Sequence, residues 1–312
     1  MALYLVTGGA GFIGSSLARA LLARGDGVRI IDDFSSGRRE NLADIRRDVE
    51  LIEGDILDGV ALGRAMDGVD YVFHEAAIPS VPKSMAEPLE NHAANATGTL
   101  AVLQRARQSG IKRVVYAASS AAYGDDPTLP KIETMPPAPI SPYGASKLAG
   151  EHYCQVYAKA YGLETVCLRY FNVFGPRQDP KSEYAAVIPK FITAALAGGV
   201  PRIFGDGTQS RDFCFIDNVI EANFRAMSAP ARDASGGVFN IACGSACDLN
   251  QVVALIGEIL GRRIEPRHEA ERAGDIKHSW ADISAARRAL GYTAAVSFPE
   301  GLRRTIEWYK TA

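Results

Sequence analysis

Three side chains in the middle of the chain have the types and spacing for acid–base chemistry: Ser119, Tyr143 and Lys147. Tyr143 and Lys147 bracket the run Tyr143-Gly144-Ala145-Ser146-Lys147, and a separation of four places both on one face of a helix. A free tyrosine has a pKa of about 10 and is a poor base at neutral pH. An ammonium beside it favours the phenolate and lowers that value, so the pair can take a proton from a hydroxyl group. Ser119 lies just past a predicted strand, where its hydroxyl can face a cleft and bond the same reacting oxygen. Alone, a Tyr and a Lys four apart are a common chance spacing on a surface helix; the rest of the chain gives the pair its weight.

The elements that must hold this trio start at the N-terminus. Leu3 to Val6 is a short apolar run, followed by Thr7-Gly8-Gly9-Ala10-Gly11-Phe12-Ile13-Gly14 and a segment of helical character, Ser15 to Arg24. Gly8 permits a tight turn, Gly11 lets the backbone approach a pyrophosphate, and Gly14 lets the helix pack closely on the strand. A second strand, Val28 to Ile31, ends in Asp32, whose carboxylate can bond adenosine ribose hydroxyls and repel a 2′-phosphate. That favours NAD over NADP; Arg38 and Arg39 read as a solvated loop. Strands at Val49–Glu53, Val69–Phe73 and Arg113–Ala118 follow, with residues 84–109 largely helical around Asn95. Asp55 either accepts from an adenine amino group, with Ile56 against the ring, or caps the next helix. The small pair Ala76-Ala77 allows close approach of a cofactor, while His74 reads as a packed strand-end residue. Strands alternating with helices predict an α/β fold, a Rossmann-type doubly wound parallel sheet with ligands at its carboxyl ends. A smaller C-terminal α/β lobe is expected to follow.

Composition narrows the function. The chain has 312 residues and a net charge of −2, which gives no general attraction to nucleic acid or anionic membrane. No apolar run approaches the ~20 residues of a membrane span. Leu3 to Val6 already reads as the first strand, leaving no room for a signal peptide, so a cytoplasmic protein is expected. The five scattered cysteines read as reduced thiols, and no metal site is expected.

TGGAGFIG, the HEAA segment, SSAAYG and YGASK together resemble the extended short-chain dehydrogenase/reductase family over nearly the whole chain. The resemblance implies a tightly held NAD and a nucleotide-sugar substrate, with Lys147 also on the nicotinamide ribose. Its cofactor positions are Gly8, Gly11, Phe12, Ile13, Gly14, Asp32, Asp33, Ser35, Ser36, Gly37, Asp55, Ile56, Ala76, Ala77, Asn95, Tyr143, Lys147 and Phe171, the last lining the nicotinamide pocket. Its substrate positions are Ser80, Ser119, Ser120, Tyr143, Asn172, Ala186, Val187, Phe204, Arg211, Arg272, Asp275 and Ser279. Guanidinium forks suit phosphate oxygens, which makes Arg211 a pyrophosphate clamp; the resemblance adds Arg272 on the other phosphate and Asp275 on the uridine ribose. An NAD-binding domain over 1–171 is expected, with part of 205–235 returning to it, and a UDP-sugar lobe over 172–312. The family commonly forms homodimers through the helices near 84–109 and 143–162.

Related hexose 4,6-dehydratases carry Asp-Glu just before the Tyr-Gly of SSAAYG, and glucuronate decarboxylases a Glu. Here Ser120 and Ala121 stand in that segment, and neither can work as an acid or base at C5 or C6. Simple 4-epimerisation needs no such group. The run from Arg272 through Asp282, with Ser279 where a bulky tyrosine stands in enzymes confined to UDP-glucose and UDP-galactose, most resembles bacterial UDP-N-acetylglucosamine 4-epimerases. Uronic-acid epimerisation, nucleotide-sugar dehydration and, more distantly, non-enzymatic dinucleotide sensing are the alternatives.

Overall fold

Six apolar runs up to Tyr170 line up as parallel strands in a computed structural model that describes residues 1–180, 187–271 and 277–311. They are β1 (Leu3–Thr7), β2 (Gly27–Asp32), β3 (Glu50–Glu53), β4 (Tyr71–His74), β5 (Arg113–Ser119) and β6 (Glu164–Tyr170). Their spatial order is β3–β2–β1–β4–β5–β6, and a seventh strand, Gly237–Ile241, pairs parallel with β6. The chain thus returns to the sheet through residue 241, beyond the 205–235 stretch expected from sequence. The helix Ile216–Ser228, inside that stretch, packs on β5, β6 and the helix Phe12–Ala23.

The sheet is buried on both faces, so side-chain alternation divides it between two cores. From β1, Tyr4 and Val6 enter one core and Leu5 the other; from β5, Val115 and Ala117 enter the first and Val114, Tyr116 and Ala118 the second. The first core continues into the C-terminal part through Phe174, Phe213, Phe215 and Ile192. Each fully buried side chain of this size contributes about 1.5–3 kcal/mol, so a continuous core couples the two parts of the chain strongly. The C-terminal part itself is made of short strands. Val173–Phe174 pairs with Cys214–Phe215, Arg202–Phe204 with Arg267–Glu269, and Ser210–Arg211 with both Cys247–Asp248 and His278–Ser279.

Strand order reverses between β1 and β4, which opens a crevice at their carboxyl ends. The helix Pro142–Tyr161 borders it. Ser141 caps this helix by accepting from the Gly144 N–H at 3.1 Å, Pro142 fits its first turn, and Gly162 ends it in the left-handed conformation. Among the described residues no helix is long and apolar enough to cross a membrane, and no cluster of three or more metal-ligating side chains occurs.

Candidate active site

A cavity of about 1200 Å³ runs along the carboxyl ends of the strands. At one end lie Gly8, Gly11, Phe12, Ile13, Gly14, Asp32, Asp33, Ser35, Ser36 and Gly37, with Asp55 and Ile56 beside them. At the other lie Ser119, Ser120, Tyr143, Lys147 and Asn172; Arg211 and Ser279, paired in neighbouring strands, also line the cavity, as do Ser80, Ala76 and Ala77. A second cavity of about 790 Å³, lined by Val187 and Phe204, shares Asn172 and Arg211 with the first. Ala186, Arg272 and Asp275 lie outside the described residues.

The glycine loop has the shape a dinucleotide needs. Gly8 has φ +67°, and a Cβ there would stand 2.7 Å from the Ala76 backbone; a Cβ on Gly14 would stand 2.3 Å from the Gly8 carbonyl oxygen. Side chains are therefore excluded at both positions, and the backbone itself forms the cradle. Gly11 caps the following helix without a side-chain bond, leaving the first-turn N–H groups directed at the cavity, as a pyrophosphate requires. Asp32 sits at the end of β2, fixed by N–H groups of Ala10 and Phe34, each at 2.8 Å. Burial raises its pKa, and those two bonds oppose the rise. Arg38 pairs with Asp179 at 3.3 Å and Arg39 with Glu53 at 2.5 Å, so both arginines are engaged with carboxylates. These residues fit NAD.

At the Tyr143 end, the Ser119 hydroxyl accepts the Ala121 N–H at 3.2 Å and favours the ionised form of Tyr143. Close approach of the two segments depends on Gly144, whose added Cβ would meet the Ala121 carbonyl oxygen at 2.8 Å. Lys147 is 3% exposed and its ammonium donates to the Ala117 carbonyl oxygen at 2.7 Å. Burial brings its pKa down to about 8, opposed by the carboxylates of Glu75 and Glu151. The expected lowering of Tyr143 by Lys147 is not found at rest. Burial raises the Tyr143 pKa and outweighs the influence of the Ser119 hydroxyl, while the Lys147 ammonium is directed to the backbone of β5.

Two residues expected at the cofactor stand off the cavity. Phe171 is fully buried, its ring 6.1 Å from that of Tyr123 in the core, and the preceding Tyr170 reaches the cavity instead. Asn95 is 1% exposed, in a π-helical turn (Ala93–Thr97) that interrupts the helical stretch expected over 84–109. Its side chain accepts the Ile78 N–H at 2.8 Å and donates to the Ile78 carbonyl at 3.2 Å. It also donates to Ser146 at 3.2 Å, tying the wall after β4 to the helix of Tyr143. Asn95 therefore positions the wall without lining it. His74 is a packed strand-end residue, between the hydroxyls of Thr7 at 2.8 Å and Thr99 at 2.9 Å. Burial, and then Lys147, hold its pKa down to about 3, so it is neutral.

Two further residues were not singled out from the sequence. Glu75 follows β4 on the cavity wall and accepts the Tyr170 hydroxyl at 2.9 Å. Asp212, fully buried, accepts N–H groups of Cys243 at 2.7 Å and Gly244 at 3.0 Å; its own N–H donates to the Ser279 carbonyl at 2.9 Å and its carbonyl accepts from Asn172 at 3.2 Å. It thereby joins the segments that carry Asn172, Arg211 and Ser279. A carboxylate between Arg211 and Phe213 is the one signal that marked it.

The family model for the NAD dependent epimerase/dehydratase family matches residues 4–242. The chain is 39% identical over 310 residues to a UDP-glucose 4-epimerase of Mycolicibacterium smegmatis, covering 98% of each chain. Among solved structures, a UDP-N-acetylglucosamine 4-epimerase from Methanobrevibacter ruminantium, in complex with UDP-N-acetylmuramic acid, superposes with a TM-score of 0.93 at 42% identity, covering 99% of this chain and 98% of that one. A UDP-glucose 4-epimerase from Thermotoga maritima, with UDP-glucose, gives a TM-score of 0.93 at 39% identity and covers 99% of both.

Proposed function

Since the chain belongs to the NAD dependent epimerase/dehydratase family, we propose that this UDP-sugar 4-epimerase interconverts UDP-N-acetylglucosamine and UDP-N-acetylgalactosamine, with UDP-glucose and UDP-galactose as further substrates. The 4-epimerase reading is supported by relatives of that activity matched over nearly their full length. The observation that carries the substrate is Ser279, a small residue on the cavity wall that also bears Arg211. A tyrosine there would overpack an acetamido group at C2, a conflict that typically costs ~1–3 kcal/mol.

In this reading Tyr143 takes the proton from the sugar O4, and Ser119, with Ser120 beside it, orients that oxygen. NAD, when bound, supplies a hydride acceptor that returns the hydride to C4 from the other face of the ring. Lys147 holds the ribose at the reacting end and the charge that Tyr143 needs as it ionises. Arg211 clamps the diphosphate while the 4-keto sugar turns over. Gly8 to Gly14 hold the pyrophosphate, and Asp32 the adenosine ribose. Ala186, Arg272 and Asp275 belong to the substrate in the same reading. The division into a cofactor domain over 1–171 and a sugar lobe over 172–312 is part of it, as is a homodimer.

The test is a panel of UDP-sugars with products followed by NMR, on wild type and Ser279→Tyr. Wild type should epimerise both N-acetylated sugars, and Ser279→Tyr should lose them and spare UDP-galactose. Turnover confined to non-acetylated sugars or to UDP-glucuronate, or a tyrosine variant that treats both classes alike, defeats the substrate assignment.

A further inference from the structure

We propose that Glu75 is the counter-charge for the nicotinamide end of the cofactor, an anion on the cavity wall that favours the oxidised, cationic ring over the neutral reduced one. The inference rests on the functional reading above, which puts the reacting end of NAD beside Tyr143.

Glu75 follows β4 directly, and its neighbour Ala76 meets the glycine loop at Gly8. Its carboxylate is aimed from behind: the Tyr170 hydroxyl donates to it at 2.9 Å, and the Asn223 side-chain amide donates to that hydroxyl at 2.8 Å. The charge of Glu75 is felt by both Tyr143 and Lys147 on the neighbouring helix. Other groups near this end do not supply a negative charge. At rest burial keeps Tyr143 a neutral phenol, Ser119 is uncharged, His74 is neutral, and the carboxylate of Glu151 is committed to Arg169 at 2.7 and 2.9 Å. Of the remaining carboxylates on the described wall, Asp32, Asp33 and Asp55 lie at the opposite end, while Glu90 pairs with Lys83 and Asp179 with Arg38. A cationic ring brought beside the Lys147 ammonium would meet like charge, and Glu75 offsets it. At rest the Glu75 carboxyl is held up to about 7, chiefly by burial. A cation at its side lowers that value and fixes it as a carboxylate. Hydride transfer then removes the ring's charge, and the site prefers to give the hydride back rather than to keep the reduced cofactor.

The test reads the midpoint potential of the bound cofactor in the holoenzyme, by nicotinamide absorbance against a soluble redox buffer. Glu75→Gln keeps an oxygen for the Tyr170 hydroxyl and loses the charge. Its potential should rise by the equivalent of about a tenfold change in the oxidised-to-reduced affinity ratio, or about 30 mV for a two-electron couple. Tyr170→Phe loses the hydrogen bond, which had favoured the carboxylate, and keeps the ionisable group; read well above neutral pH, where Glu75 is ionised in both proteins, it should stay near wild type. In wild type the potential should fall more steeply with pH near neutrality than one proton per two electrons requires, because Glu75 takes up a second proton as the ring loses its charge. An unchanged potential in folded, loaded Glu75→Gln, an equal rise in Tyr170→Phe, or a one-proton slope throughout overturns the proposal. No sugar enters these measurements, so failure of the substrate panel and failure here are separate results.

Discussion

The two ends of the cavity are built in different ways. At the dinucleotide end the contact surface is largely backbone: a glycine loop in which added Cβ atoms would collide, a bare helix N-terminus, and one carboxylate at a strand end. At the other end the wall is made of side chains from distant segments. Asn172, Arg211 and Ser279 meet because strands of two residues and the backbone of Asp212 hold their segments together. A backbone cradle accepts one kind of ligand and tolerates few substitutions. A side-chain wall is open to change one residue at a time. Tyr143 and Ser119 stand where the two constructions meet, so breaking each part should give a different signature.

The largest effect is expected at that junction. Tyr143→Phe removes one hydroxyl and leaves both walls intact, so turnover should fall by ~10²–10⁴-fold while NAD and UDP-sugar are still bound. Steady-state kinetics with equilibrium binding checks this; a Phe variant with normal turnover would take Tyr143 out of the chemistry.

A smaller and different effect is expected from the side-chain wall. Arg211→Ala should raise KM for UDP-sugars and weaken inhibition by UDP, by about tenfold or more, the scale of a lost hydrogen bond from a charged group. NAD content should not change, because the backbone cradle is untouched. A change confined to kcat, with UDP inhibition unaltered, would show that Arg211 serves something other than the diphosphate.

The same contrast decides what can be read from the sequence. The glycine loop, Asp32 and the Tyr143–Lys147 pair are local patterns: a strand, a turn and a helix fix their geometry over a few residues, so their placement at the cavity is legible from the sequence. Asn95 and Phe171 were placed by resemblance, and the fold turns both inward. A one-residue change of face at the end of β6 gives the cavity Tyr170 and the core Phe171. Glu75 and Asp212 do their work through partners 95 and about thirty residues away, which no local pattern reveals. The seventh strand was missed because a five-residue run that joins an existing sheet edge looks like any short strand of the second lobe. The direction of the Tyr143 shift was misread because spacing shows that Lys147 is near but not that its ammonium is bonded to Ala117.

The smallest expected effect lies on a tie between the two constructions. Arg38, in the loop after β2, pairs with Asp179 of the segment after β6 at 3.3 Å, and both residues line the cavity. The side chains are 47% and 32% exposed, so the pair is partly solvated and should contribute no more than ~1 kcal/mol. If it helps to keep the cofactor in place, Asp179→Asn should release NAD up to ~5-fold faster in low salt. The difference should shrink as ionic strength rises and shortens the range of the attraction. Release can be followed by dilution into a coupled dehydrogenase that scavenges free NAD. Equal release rates at low salt would mean that the backbone cradle retains the cofactor unaided. A faster rate that ignores salt would mean that the substitution acts on the shape of the loop, not on its charge.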